Sequence, residues 1–302
     1  MCAGRYPAKP PMVASRHILI VNARKVTRPV FVVGAPHSGA EAIGRALKGS
    51  DGFHMTIGQR SVLHAVYAFA RRPSQYVGRG AAIATVLRDA FAQGWQLSAA
   101  SCLDCGPECR AAAGLRVGDI GPCASSRGLS RYGDASADLA YCSDTLIIAF
   151  PDAQIVQVIR DGRDVVAAML ADPAVMTWFR PSFVNLDEEC PHPFFGVETE
   201  NEREAWPTLS DAGKCALRWR WIIRQAAKLH HDLPDTQLKT VRYEEMARDP
   251  AGTARALTDF TGTPVQQLPK VGPPGLWRHT LTPAQLDDIT QIAGEELRRL
   301  GY

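Results

Sequence analysis

Residues 30–43 read Val30-Phe31-Val32-Val33-Gly34-Ala35-Pro36-His37-Ser38-Gly39-Ala40-Glu41-Ala42-Ile43. Four apolar β-formers run into a turn bracketed by Gly34 and Gly39. Beyond it Ala42, Ile43, Ala46 and Leu47 recur at helical spacing, so the stretch reads as strand, glycine-bracketed turn and helix. Backbone N–H groups of such a turn, added to those of the helix N-terminus, form a cradle for an anion. The glycine spacing is also that of a Walker A loop. That motif continues with Lys and Ser or Thr, where this chain has Ala40 and Glu41, which disfavours an ordinary Mg-dependent NTPase. A plainer reading stays open, in which Glu41 only complements the helix dipole, worth about 0.3–1 kcal/mol, and the loop binds nothing.

Upstream of this unit, Ile18–Val21 reads as a short strand followed by a basic turn, Arg24–Arg28. Pro7, Pro10 and Pro11 mark a leading arm, residues 1–16, expected to be mobile ahead of a single domain at 17–302. Downstream, Val62–Phe69 and Ile83–Trp95 read as helices, and 98–133, rich in Cys, Gly, Ser and Arg, as an irregular insertion. Leu139–Phe150 reads as a helix with an apolar end, Ile155–Ile159 as a buried strand, and Arg163–Leu170 as the helix of a second βα unit. Trp178–Pro207 is loop-rich, Lys214–Leu233 a strong helix and Leu238–Val241 a strand. Pro250–Thr261 and Pro283–Leu300 are helices, the last stopped by Gly301. Strands alternating with helices predict an α/β fold with a central parallel sheet flanked by helices.

Among the 302 residues, 34 Lys and Arg against 31 Asp and Glu give a net charge of +3, no footprint for a dedicated nucleic-acid binder. Apolar residues at 46% are ordinary for a globular chain, and runs such as Thr145–Phe150 are too short for a membrane span. Met1–Ser15 lacks a signal-peptide core, so the expectation is a soluble cytoplasmic protein with no membrane partner. Oligomeric state is not legible.

Two further segments carry chemistry. Gln154–Leu170 ends its strand in Arg160-Asp161-Gly162-Arg163-Asp164, where Asp161 and Asp164 have the spacing of a capping box and Arg160 suits phosphate oxygens. Leu238–Pro250 holds Val241-Arg242-Tyr243-Glu244, and near the end Trp277 and Arg278 precede the last helix. In order and spacing these segments resemble sulfotransferases that use 3′-phosphoadenosine 5′-phosphosulfate (PAPS), from about Val30 to the end of the chain. The family's G-x-P-[RK]-S-G-T-T motif is matched at Gly34, Pro36, Ser38 and Gly39; His37, Ala40 and Glu41 depart from it.

The resemblance implies a P-loop-like sulfotransferase fold that moves a sulfuryl group from PAPS to a hydroxyl of a small-molecule acceptor, such as a secondary metabolite. Ser38, Gly39 and Ala40 would then hold the 5′-phosphate, His37 would face the bridging oxygen, and Arg160 would bind the 3′-phosphate. The family's phosphate-binding serine, eight positions on, is Ala168 here. Arg242 and Tyr243 would line the nucleotide wall, with Trp277 and Arg278 close to the cofactor. The acceptor would lie under 98–133 and 178–207, among Trp178, Phe179, Phe194 and Phe195. Family members use His or Glu as base. The family's G-D-K-[ST]-P segment appears as Gly118-Asp119-Ile120-Gly121-Pro122 without its lysine, leaving Asp119, His54, Glu41, His64 and His37 as candidates. The replaced positions also admit a binding module of this fold without PAPS chemistry, or a different acid/base reaction on His37 and Glu41.

Cys102-x2-Cys105-x3-Cys109 has ligand-like spacing for a structural zinc, with Cys123, Cys142, Cys190 or His192 as fourth ligand; free thiols or a disulfide are the alternatives.

Overall fold

The computed structural model describes residues 18–73, 80–98, 100–116, 118–187 and 190–302; the leading arm, residues 1–16, lies outside them. The chain runs β1 (Ile20–Val21), β2 (Arg24–Lys25), β3 (Val30–Gly34), α1 (Ala40–Lys48), β4 (Phe53–Thr56), α2 (Arg60–Arg71), α3 (Gly80–Gly94), α4 (Pro107–Ala112), β5 (Arg131–Asp134), α5 (Ser143–Ala149), β6 (Gln154–Ile159) and α6 (Gly162–Leu170). It continues through α7 (Pro173–Thr177), α8 (Glu200–Ala205), α9 (Asp211–Asp232), β7 (Leu238–Arg242), α10 (Tyr243–Arg248), α11 (Pro250–Thr261), α12 (Trp277–Thr280) and α13 (Pro283–Arg299).

β3 to β7 form one parallel sheet in the order β4-β5-β3-β6-β7, flanked by helices, which is the α/β architecture expected from the alternation of elements. β3 shows why it takes the centre. Val30 and Val32 enter the core on one face with α1, α10 and α11, while Phe31 and Val33 enter the other with α2, α3, α6 and α9. A strand buried on both faces can be apolar at every position. On the second face Phe31, Phe91, Trp95 and Phe150 pack with ring centroids 4.9–6.2 Å apart.

The connection leaving β3 runs to β4 on one side, and the connection leaving β5 crosses β3 to reach β6 on the other. The crevice between the carboxyl ends of β3 and β5 is therefore a topological switch point, where open parallel sheets bind ligands.

The structure differs from the sequence reading at three places. Arg24–Lys25, read as a turn, pairs antiparallel with Ile20–Val21, because the chain reverses at Asn22 and Ala23 with positive φ. β4 was not foreseen, and β5 begins inside the stretch read as irregular and ends just beyond it. Phe179, Phe194 and Phe195, expected against the acceptor, are core residues packed on one another and on Trp206. Among the described residues no helix is long and apolar enough to cross a membrane.

Candidate functional site

β3 delivers the chain into the turn 35–39, which the Ser38 N–H closes by donating to the Ala35 carbonyl at 3.0 Å. His37 (φ 61°) and Gly39 (φ 99°) take left-handed backbone, and Gly39 is the N-cap of α1 with no side-chain cap, the Ala42 N–H donating to the Gly39 carbonyl at 3.1 Å. A Cβ on Gly34 would lie 2.5 Å from Ser38 Oγ and 2.7 Å from the Val158 carbonyl oxygen; on Gly39 it would lie 2.8 Å from the Tyr243 ring. Ser38 Oγ is buried without a hydrogen-bond partner. An uncapped helix start, a glycine-lined turn and an orphaned hydroxyl together fit a phosphate group.

Arg160, at the end of β6, turns toward this loop. Its Nη1 donates to the His37 carbonyl at 2.8 Å, its guanidinium lies 4.0 Å from the Tyr243 ring centroid, and Nη2 is 3.7 Å from Asp164 Oδ2. Asp161, the N-cap of α6, accepts from the Arg163 N–H at 2.9 Å. Asp164 does not complete a capping box. It is buried and accepts instead from the Gly275 and Trp277 N–H groups at 2.7 and 3.0 Å, tying the closing segment to α6. Arg163 and Arg278 stand 4.2 and 4.7 Å from the Trp277 ring centroid, and Trp277 Nε1 is a buried donor without an acceptor. Tyr243 donates its hydroxyl to the Gly272 carbonyl at 3.0 Å. Gly34, Pro36, His37, Ser38, Gly39, Ala40, Arg160 and Tyr243 are thus gathered at one place, with Trp277 and Arg278 linked to them through Asp164. Arg242 is engaged elsewhere: it donates to the Leu300 carbonyl at 2.8 Å and lies over Tyr302. Ala168, half-buried on α6, offers no side-chain polar group.

Beside this loop opens a cleft of about 430 Å³, lined from the end of β3 by Pro36, His37 and Glu41 and from the end of β5 by Ala135 to Asp138. It therefore occupies the switch-point crevice. His37 Nε2 is 3.1 Å from Asp172 Oδ2, both side chains being about a third exposed. The Glu41 carboxyl is pushed above its ordinary value by burial, an effect that its backbone hydrogen bond and the nearby His37 oppose. Deeper in, Tyr67 donates to Asp138 Oδ2 at 2.6 Å, and the buried Arg218 gives Nε and Nη2 to the Tyr141 hydroxyl at 3.0 and 2.8 Å. Trp178 closes one side.

The other base candidates are not brought to the cleft. His54 is fully buried in β4, edge-on to Tyr132, and burial lowers its pKa to about 4. His64 is exposed on α2, and Asp119 caps an exposed turn by accepting from the Arg116 N–H at 2.6 Å. Reading the sequence missed Asp172, Asp138, Tyr67 and Arg218. Only Asp172 carries a local signal, Asp before Pro as a helix N-cap, and that signal predicts a helix start rather than a partner for His37.

Of the cysteines, Cys102, Cys105 and Cys123 have their sulfurs within 4.8 Å of one another, and Cys109 lies 4.0 Å from Cys123. The close trio thus contains Cys123 where the spacing suggested Cys109. Cys142 donates to the Leu139 carbonyl in the opposite core, and His192 pairs with Asn185.

The family model described as "Sulfotransferase family" matches residues 193–267, which span α8, α9, β7, α10 and α11 and include Arg242 and Tyr243. The chain thus carries a sulfotransferase-family segment, and the match supports the resemblance read from the motifs; the loop 34–39 and Arg160 lie outside it. No curated protein matches the chain. Among solved structures it is similar to the sulfotransferase domain of the olefin synthase of Synechococcus PCC 7002, at 15% identity and TM-score 0.47, covering 89% of this chain and 94% of that one. It is also similar to a sulfotransferase from Alicyclobacillus acidocaldarius, at 18% identity and TM-score 0.42, covering 89% and 96%. A third, from Mycobacterium avium, has 12% identity and TM-score 0.46, covering 91% and 77%.

Proposed function

We propose that this chain, with its sulfotransferase-family segment, is an enzyme that transfers a sulfuryl group from PAPS to a hydroxyl of a small-molecule acceptor. The observation that carries the reading is the meeting, at one switch-point crevice, of a phosphate cradle with an orphaned Ser38 Oγ and a cleft holding Glu41 and the His37–Asp172 pair.

In this reaction the acceptor oxygen bonds to sulfur, the bond from sulfur to the bridging phosphate oxygen breaks, and the hydroxyl proton must leave. The products are a sulfate ester and adenosine 3′,5′-bisphosphate. The residues supply three things. Ser38 and the first N–H groups of α1 hold the 5′-phosphate, while Arg160 and Arg163 give positive charge on the nucleotide side. His37, held by Asp172, stands where the family has a basic residue and donates a hydrogen bond to the leaving oxygen. Glu41, which burial makes a stronger base than an ordinary carboxylate, accepts the hydroxyl proton. The cleft volume suits a small molecule, with Trp178 as an apolar wall and Asp138 and Arg218 as polar ends. A cytoplasmic enzyme of secondary metabolism is the setting this reading implies. Sulfuryl transfer uses no metal, so the thiol cluster lies outside the chemistry.

A second reading, the same fold without its donor, is favoured by one observation: Arg160 is already engaged by the His37 carbonyl and Asp164. Isothermal titration with adenosine 3′,5′-bisphosphate, on the protein and on Arg160→Ala, separates the two. Micromolar binding, weakened about tenfold or more in the variant, corresponds to a loss of about 1.4 kcal/mol and supports the PAPS reading. No binding at millimolar ligand leaves the donor-free alternative.

A further inference from the structure

Four thiols converge behind one wall of the cleft. The sulfurs of Cys102, Cys105 and Cys123 are within 4.8 Å of one another, the Cys109 sulfur is 4.0 Å from that of Cys123, and all four side chains are buried. Zinc bonds thiolates at about 2.3 Å, so the sulfurs of a tetrahedral site stand about 3.8 Å apart. The three close sulfurs approach that spacing, and the Cys109 sulfur stands at it from Cys123. The Cys123 backbone N–H donates to the Cys102 sulfur at 3.1 Å, the kind of outer contact that orients a metal ligand. Lys48 borders Cys109 and Cys123 and places a cation beside what would be a doubly negative site.

We propose that Cys102, Cys105, Cys109 and Cys123 bind one Zn²⁺ ion in a closed, structural site. The stretch that carries them has little regular structure of its own. Among the described residues between Ser101 and Cys123, the regular structure is one 3₁₀ turn and the six residues of α4. A bound metal supplies folding energy to a stretch with so little regular structure. The ion also has a place to act. Gly106, Pro107 and Glu108, between ligands Cys105 and Cys109, line the acceptor cleft. Gly106 lies so close to the β4–α2 turn that a Cβ would be 2.8 Å from the Gly58 carbonyl oxygen, and Glu108 pairs with Arg45 of α1 at 2.6 Å. Zinc therefore fixes the cleft wall against α1 and β4 without touching substrate, and this holds whichever reaction the cleft performs.

Elemental analysis of the full chain, purified with reductant and zinc but without chelator, tests the site. One zinc per chain is expected, with most of it lost in Cys102→Ser and in Cys123→Ser and none lost in Cys142→Ser. Because the two ligand variants can fail to fold, Co²⁺ is also titrated into the metal-stripped parent protein. Tetrahedral thiolate binding gives intense sulfur-to-cobalt absorption in the near ultraviolet and visible bands, both erased by added zinc. Absence of metal together with a blank cobalt spectrum would overturn the proposal. Stoichiometric iron, or a disulfide mapped between any two of the four cysteines, would do the same.

Discussion

Gly34 and Glu41 stand seven positions apart and meet opposite demands. A methyl group on Gly34 would press on the Val158 carbonyl of the neighbouring strand, an atom that cannot retreat without breaking the β3–β6 ladder. Gly34→Ala should therefore cost about 1–3 kcal/mol, read as a lower urea midpoint, and should weaken bisphosphate binding through the displaced Ser38. A parent-like midpoint would show that the turn tolerates a side chain. Glu41 brings a carboxylate to the first turn of a helix that is to receive a phosphate, a conflict that burial eases by raising its pKa. As the base it must be ionised, so turnover should fall with decreasing pH at a higher pH than an ordinary carboxylate would give. Glu41→Gln should reduce turnover by about 10²–10⁴-fold and abolish that acid limb while leaving bisphosphate binding in place. A variant that keeps the limb would move the role to another group.

α6 shows how one element joins two parts of the site. Its first turn holds two aspartates that look alike in the sequence and act differently. Asp161 caps its own helix, whereas Asp164 reaches across to the Gly275 and Trp277 amides and lies beside Arg160. Asp161→Ala should cost about 1 kcal/mol, as a lost cap does. Asp164→Ala strands two amides and an arginine in the interior and should cost about 3–5 kcal/mol in chemical denaturation. Equal losses would mean that the cross-connection adds nothing. Elements of this kind divide what the sequence discloses from what it hides. β3, β6, β7 and the long helices were legible because their apolar periodicity is local. β4 and β5 were not, since Phe53–Thr56 carries a histidine and β5 reads Arg-Tyr-Gly-Asp; parallel pairing in the sheet, rather than propensity, makes them strands. The loop and Arg160 were legible as motifs. The His37–Asp172 contact joins residues 135 positions apart, and no short-range pattern encodes it. The same holds for the Asp138–Tyr67 bond, and for Cys123 joining the other thiols.

At the scale of the molecule, the fold commits titratable groups to its interior, and they set its pH range. His192 is wholly buried, with Nε2 3.0 Å from Asn185 Oδ1 and Nδ1 without a partner. Burial, and then the cations Arg71 and Arg72, lower its pKa from 6.5 to about 4. Burial does the same to His54. The unfolded chain takes up these protons below about pH 6.5, and the folded chain only near pH 4, so the unfolded state binds more protons throughout that window. The stability that these two histidines contribute is therefore full at neutral pH and declines as pH falls from about 6.5 toward 4, by up to about 1.4 kcal/mol per pH unit for each, while the Asp134 carboxyl, which burial raises to about 7, works in the opposite sense across the same window. Urea midpoints measured across this window should fall with pH by the histidine decline less the Asp134 offset. His192→Gln, which has no proton to gain, should flatten it by up to about 1.4 kcal/mol per pH unit, the share of one histidine. A slope unchanged in the variant would show that the His192 ring is reached by water and protonates in the folded protein as readily as in the unfolded one.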